Sequence, residues 1–262
     1  MPPQLKPNGI VTLITDFQTK DAYVGAMKGA LLSVASDLNI VDVTHDVPPQ
    51  NVRYASRILS ETLPYFPAGT VHCCVVDPGV GSHREALIFQ IRDQWVIAPD
   101  NGLISGIYEG ASDLIWRIAV EDFENACHTF HGRDIFAPTA AALASGQKQN
   151  NDFNSYSRKP LLLKPIEAVM DADGSWIGEI IAVDAFGNLI TNLPGVLLEK
   201  ATQLEIEGVR EPITAVVQSY HEAEKGVLVA LCGSSNNVEI SLKNANTSHY
   251  LEIGCGIAIR LI

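Results

Sequence analysis

Three apolar, β-branched runs of strand length, residues 10–15, 40–43 and 71–76, are separated by two stretches of helical spacing. This alternation constrains the fold more than any other feature of the chain. In residues 21–35, Tyr23, Met27, Ala30 and Leu31 share one helical face, and in residues 50–63, Val52, Ala55, Ile58 and Leu59 do the same. Strand, helix, strand, helix, strand requires right-handed crossovers, and so a parallel sheet covered on both faces. Further strands are expected at residues 86–91, 95–98 and 114–118, then a helix over residues 135–145 that stops at Gly146.

From Gly146 to about Asp173 the composition changes to Gln, Asn, Ser, Lys and Pro, which reads as a linker or crossing arm. Beyond it the helical periodicity disappears. Residues 176–183, 203–206, 214–218, 227–231, 238–242 and 257–261 read as short strands divided by turn residues, the spacing of a small sandwich or barrel. A prior of about 150 residues per domain allows two domains in a chain of 262. The expected architecture is an α/β N-terminal domain with a mainly parallel sheet over residues 1–165, its polar linker starting at about 147. A smaller all-β C-terminal barrel domain follows over residues 166–262.

Eighteen Lys and Arg against 30 Asp and Glu leave a net charge of −12. Such a chain repels nucleic-acid phosphate and anionic membranes, so neither is an expected partner, and a cationic or zwitterionic small molecule fits better. No apolar run approaches the roughly 20 residues that span a bilayer. Residues 1–9 hold three prolines and no apolar core, so they read as a short arm and not as a signal peptide. The five cysteines have no CxxC spacing, and the adjacent Cys73 and Cys74 point to opposite faces of a strand. They read as reduced core thiols of a cytoplasmic protein, with neither a disulfide framework nor a zinc site.

Candidate site residues gather where strands end. Asp16 directly follows the first strand, and in parallel α/β sheets ligands bind beyond the carboxyl ends of strands, where an acid can take a ribose diol. A turn or cap role fits the same position. Val76-Asp77-Pro78-Gly79-Val80-Gly81-Ser82-His83-Arg84 follows the third strand; its glycines begin a GxGxxG pattern, but Arg84 stands where the last glycine belongs. Asp77 and Arg84 can fold toward each other across this turn, which on spacing alone also describes a structural ion pair. His131, in Thr129-Phe130-His131-Gly132-Arg133-Asp134, is a loop histidine beside a glycine and a candidate acid–base group. His128 lies three residues before it, but no further ligands cluster there to make a metal site. Asp184-Ala185-Phe186-Gly187-Asn188 and Gly233-Ser234-Ser235-Asn236-Asn237 are polar turns between apolar strands, and the first has the composition of an Asx-turn.

In order along the chain, Ile14-Thr15-Asp16-Phe17, Ile40-Val41-Asp42-Val43-Thr44-His45 and Val75-Val76-Asp77-Pro78-Gly79-Val80-Gly81 resemble the S-adenosylmethionine hydroxide adenosyltransferases, relatives of the fluorinases and chlorinases. Ala98-Pro99-Asp100-Asn101-Gly102, residues 129–134, Phe186-Gly187-Asn188 and Ser234 continue the resemblance over nearly the whole chain. It implies an α/β domain joined to a β-barrel, S-adenosylmethionine as substrate, and adenosine and methionine as products, with no metal or redox cofactor. Halogenating members carry Tyr where this chain has Asp77, and Tyr-Ser where it has His131-Gly132. The hydroxide-using members carry Asp, Arg and His, matching Asp77, Arg84 and His131.

That division has a chemical reason. Methionine leaves a sulfonium as a neutral thioether and needs no acid, whereas water must be oriented and relieved of a proton. A halide needs only desolvation. The rival readings, a 5′-halo-adenosine synthase and a non-catalytic S-adenosylmethionine or adenosine sensor, do not call for the Asp77, Arg84 and His131 set. By the same resemblance Asp16 holds the ribose hydroxyls, Asn188 the adenine edge, Asp184 the methionine ammonium and Ser234 its carboxylate. Tyr220 lies against the adenine, where an aromatic face gives area at low entropy cost. Ser235-Asn236-Asn237 departs from relatives, which commonly place a glycine and an aromatic there. The resemblance further implies a homotrimer with its sites at subunit interfaces.

Overall fold

The computed structural model describes residues 5–110 and 114–262; residues 1–4, the start of the expected arm, lie outside the described residues. The chain divides into a unit ending at Leu163 and a second, Lys164–Ile262.

The first unit is built on one sheet. Its strands are β1 (Ile10–Thr15), β2 (Asn39–Thr44), β3 (Val71–Val75), β4 (Ala86–Ile91), β5 (Gln94–Pro99), β6 (Leu114–Ile118) and β7 (Asn154–Ser155), in the order β2-β1-β3-β5-β4-β6-β7. Helices α1 (Tyr23–Val34) and α2 (Val52–Thr62) are the crossovers of the expected alternation. The sheet is nevertheless mixed. β1–β2, β1–β3 and β3–β5 pair parallel, whereas β4–β5, β4–β6 and β6–β7 pair antiparallel, so the expected mainly parallel sheet holds only on one side. The cause is connection length: only Arg92 and Asp93 separate β4 from β5, which permits a hairpin and no crossover.

Each sheet face has its own core. Met27 and Leu31 of α1 pack with Leu13, Cys73, Val75 and Ile88 on one face. On the other, Ala55 and Leu59 of α2 pack with Ile14, Cys74, Leu87 and Val96. Cys73 and Cys74 thus belong to opposite faces, as the strand alternation requires, and burial pushes both thiols up. A π-helical turn, Gly132–Phe136, leads into α3 (Ala137–Ala144), which packs in the first core. No helix among the described residues is long and apolar enough to cross a membrane.

The second unit holds β8 (Val169–Met170), β9 (Trp176–Val183), β10 (Leu189–Pro194), β11 (Leu204–Ile206), β12 (Ala215–Val216), β13 (Leu228–Cys232), β14 (Asn237–Leu242) and β15 (Ala258–Leu261). Their sheet runs β11-β15-β9-β10-β14-β13-β12, with β8 beside β9. It too is mixed, since β12 pairs parallel with β13 among otherwise antiparallel neighbours. Two expectations need correction. The unit is not all-β, because a short helix, α4 (Thr247–Leu251), follows β14, capped by the Asn246 side chain. Five residues are too few to register as periodicity. The sheet also forms an open path, its ends meeting at one isolated bridge between Leu204 and Ile213. Strand β10 was not among the expected strands, since its sequence mixes Thr, Asn and a closing Pro with only three apolar side chains.

Candidate active site

The loops of the first unit that follow parallel strands leave the sheet at one end. β1 lies between β2 and β3, so the chain crosses to opposite sides of it, and a crevice for ligands forms beyond the carboxyl ends at such a switch point. Asp16 follows β1, and Asp77 follows β3 by two residues. The antiparallel β4 begins at the same end, because Ala86 pairs with Pro99 at the end of β5 and with Ile118 at the end of β6. Arg84 and the loop to His131 are delivered there as a result of that register.

Three of the candidates converge. Arg84 Nε donates to both carboxylate oxygens of Asp77 at 3.1 and 3.0 Å, and Nη2 donates to Oδ2. Nη2 also lies 2.9 Å from His131 Nδ1. The side chains of Arg84 and Asp77 are 8% and 4% exposed, so this is a buried pair and not a surface bridge. The turn between them is fixed locally: Ser82 Oγ donates to the Gly79 carbonyl, and Gly81, at φ +76°, lies so close to the His128 carbonyl that a Cβ would stand 2.5 Å from it. Arg84 Nη1 is buried without a hydrogen-bond partner, and the guanidinium lies over the Phe136 ring, 5.2 Å from its centre.

The pairing fixes a proton position. Arginine has donors only, so Nδ1 of His131 must accept, and the neutral ring carries its proton on Nε2. Burial, and then the Arg84 charge, hold this imidazole below the ordinary histidine range. The cluster therefore presents a neutral N–H donor beside a carboxylate at neutral pH. A cavity of about 550 Å³ is lined by Arg84 and His131 together with His128, Glu85 and Arg117. Gly132, in the π-helical turn, faces the Phe17 ring, where a Cβ would stand 3.1 Å away. Phe17, Tyr23 and Phe130 form an aromatic cluster at that point, Phe130 meeting both other rings edge to face.

Asp16 has a partner within the fold: Oδ2 accepts from the Gln50 backbone N–H at 2.8 Å, which ties the entry of α2 to the end of β1. His45, buried, holds the same strand end through Nδ1 and Thr15 Oγ1 at 2.8 Å. Asp16 is half-buried and is not bonded to the Asp77 cluster. Among the described residues no group of three or more His, Cys, Asp or Glu side chains is placed to hold a metal ion.

In the second unit the candidates bond chiefly to their own turn. Asp184 Oδ1 accepts from the Phe186 and Asn188 backbone N–H groups at 2.9 and 2.8 Å, the Asx-turn its composition suggests. Asp184 Oδ2 accepts from Asn188 Nδ2 at 2.9 Å, and Ser241 Oγ donates to Asn188 Oδ1 at 2.8 Å. Gly187, at φ +87°, packs against Asn246, leaving no space for a side chain. Phe186 at the tip is 79% exposed. Ser234 is exposed on the β13–β14 turn. In that turn Asn236 takes φ +61°, a left-handed conformation that Asn tolerates better than most residues, so the departure Ser235-Asn236-Asn237 keeps a turn a glycine would favour.

Sequence reasoning missed Glu239. It is 6% exposed on β14, and its Oε2 accepts from the Tyr220 hydroxyl at 2.5 Å. The available signal was alternation: Val238 and Ile240 enter the core, which turns Glu239 and Ser241 to the other face.

Residues 11–152 match the family profile of the SAM hydroxide adenosyltransferase N-terminal domain, and residues 178–260 that of the C-terminal domain. An (R)-S-adenosyl-L-methionine hydrolase of Salinispora tropica is 32% identical over 264 residues, covering 98% of this chain and 99% of that protein. A fluorinase of Actinopolyspora mzabensis is 26% identical over 73% of this chain and 74% of its own. A crystal structure of a conserved protein from Thermotoga maritima has a TM-score of 0.87 at 32% identity, covering 96% of this chain and 99% of that one. With both domain profiles matched in order and such relatives aligned end to end, the chain belongs to the S-adenosylmethionine hydroxide adenosyltransferase family.

Proposed function

We propose that this chain is a cytoplasmic enzyme that hydrolyses (R)-S-adenosyl-L-methionine, the compound named for its curated relatives, to adenosine and L-methionine. The observation that carries the reading is the buried cluster of Asp77, Arg84 and His131, which places a carboxylate and a neutral imidazole around one guanidinium. A water oxygen attacks the 5′ carbon, the carbon–sulfur bond breaks, and its electron pair leaves with neutral methionine. One water proton passes to Asp77 and then to solvent. His131, with Nδ1 taken by Arg84, orients the water through its Nε2 proton, and Arg84 holds the two groups in register. A halide would use neither the carboxylate nor the imidazole.

Substrate contacts follow the family resemblance: Asp16 to the ribose diol, Asn188 to the adenine edge, Tyr220 against its face, Asp184 to the ammonium and Ser234 to the carboxylate. For Asp184 and Asn188 the Asx-turn bonds leave lone pairs and one amide hydrogen for a ligand. The two units correspond to domains at residues 1–165 and 166–262. In a homotrimer, Asp16, Asp77 and His131 of one subunit face Asp184, Asn188 and Ser234 of a neighbour.

The test is the reaction in water enriched in oxygen-18. The label should enter the 5′ hydroxyl of adenosine, with methionine released in equal amount from the R epimer at sulfur. Unlabelled adenosine, or S-adenosylhomocysteine in its place, overturns the mechanism. Co-expression of His131→Ala with Asp184→Ala tests the assembly: in a head-to-tail ring about a quarter of the interfaces are intact, and activity should return to about that fraction.

A further inference from the structure

Tyr220 combines two properties that rarely coincide. The residue is 48% exposed, yet its hydroxyl donates to the carboxylate of Glu239, a residue that is 6% exposed. An exposed tyrosine ordinarily leaves its hydroxyl to water; here a buried acid is spent on holding the ring. The space for that acid is made by Gly233, where a Cβ would fall 1.9 Å from Glu239 Oε1.

A second clamp grips the same segment from behind. Lys243 Nζ donates to the backbone carbonyls of His221 and Ala223 at 2.6 and 2.7 Å. Glu222 closes the loop on itself, its carboxylate accepting from the Gln218 N–H and the Ser219 hydroxyl at 3.1 and 3.2 Å. Glu239 stands in the middle of β14 and Lys243 just beyond its end, and Ser241, between them, holds Asn188. One strand thus fixes both Tyr220 and Asn188. Burial, followed by the Glu239 contact, keeps the phenol protonated and donating.

We propose that Glu239 and Lys243 are positioning residues for substrate, Glu239 fixing the plane of the Tyr220 ring and Lys243 the backbone that carries it. The inference rests on the reading of Tyr220 as the face on which the adenine lies. A ring held in place before binding loses less freedom when a flat base stacks on it, so the clamp acts on affinity and leaves the chemical step alone. The carboxylate works as a hydrogen-bond acceptor; its charge toward substrate is not what the role needs.

The experiment is steady-state kinetics with S-adenosylmethionine, and adenosine binding by calorimetry, on Glu239→Ala, Glu239→Gln, Tyr220→Phe and Lys243→Met, each first checked for a wild-type thermal transition. Ordering a freed side chain on binding corresponds to roughly two- to tenfold in affinity. Glu239→Ala and Tyr220→Phe should therefore raise KM and weaken adenosine binding by up to about tenfold, with kcat within about twofold. Glu239→Gln, whose amide oxygen still accepts from the phenol, should restore most of the loss. The double variant Glu239→Ala with Tyr220→Phe should be no worse than either alone, because both remove one bond. An unchanged KM in folded Glu239→Ala overturns the proposal, as does Glu239→Gln as weak as Glu239→Ala, or a fall in kcat at constant KM. Should wild-type protein bind adenosine without hydrolysing S-adenosylmethionine, the proposed reaction fails while the calorimetric series still decides the clamp. If Glu239→Ala does not fold, Tyr220→Phe and Glu239→Gln decide it.

Discussion

The two units hold their candidate side chains in different ways. In the first, Arg84 reaches Asp77 seven residues away and His131 47 residues away, so the cluster exists only when β3, β4 and the loop after β6 are assembled. In the second, Asp184 bonds to Asn188 four residues along and to the backbone between them. A long-range cluster of charges belongs to the fold; a local one belongs to its turn. The first suits reagents, whose mutual geometry must be held in a water-poor place, and the second suits contacts that only hold a ligand.

The comparison breaks most sharply at the reagents. Asp77→Asn and His131→Ala should lower kcat by roughly 10²–10⁴-fold with KM little changed, whereas Ser234→Ala should raise KM and spare kcat. Steady-state kinetics on each separates the two. A comparable loss of kcat at Ser234 would erase the distinction between the two units. Asn is chosen at position 77 because it keeps the shape of the pair, and a thermal melt of the variant checks that the buried Arg84 is tolerated.

Next in size is the local turn itself. Gly187→Ala places a methyl onto Asn246 at a backbone conformation that L residues avoid, and should cost about 2 kcal/mol in denaturant unfolding. If the turn is as self-contained as its bonds suggest, adding adenosine recovers little of this loss. The pH profile then sharpens the first unit. Because burial and Arg84 hold His131 down, the working neutral form should persist below the ordinary histidine range of about 6.5, and the acid limb of kcat should lie below that value. Below the limb the rate should fall by about tenfold per pH unit, since protonating Nδ1 sets it against the Arg84 donor. A limb at or above the ordinary value would remove the Arg84–His131 contact from the working state. The smallest effect is expected at Asn236→Gly, within about 0.5 kcal/mol of wild type, because Asn already accepts the left-handed position.

The same contrast explains what the sequence disclosed. β1, α1, β2, α2 and β3 are legible because the strands are apolar, β-branched runs and each helix buries a regular face: Met27 and Leu31 on α1, Ala55 and Leu59 on α2. The turn at Asp184 is legible because the partners of the Asp184 carboxylate all lie within five residues. The antiparallel half of the first sheet was less so, although the two-residue Arg92-Asp93 gap carried the signal. Asp77 and Arg84 stand close enough to suggest a pair; that His131 completes it depends on the register of β4 and β6, which no spacing reports. Glu239 hid among apolar neighbours, and α4 was too short to show a period.

Arg84 stands two residues before β4, and β4 is hydrogen-bonded along its length to β5 on one side and β6 on the other. Its own residues from Ala86 onward sit almost wholly inside the protein. Freeing the guanidinium therefore means unzipping an enclosed strand, not swinging a loop. In amide exchange with deuterium, the N–H groups at the start of β4 should open only with the whole first unit, while those of the β13–β14 turn exchange through small local fluctuations. Heat or denaturant should accordingly take the reagents away all at once, with no partly loosened enzyme of intermediate turnover along the way.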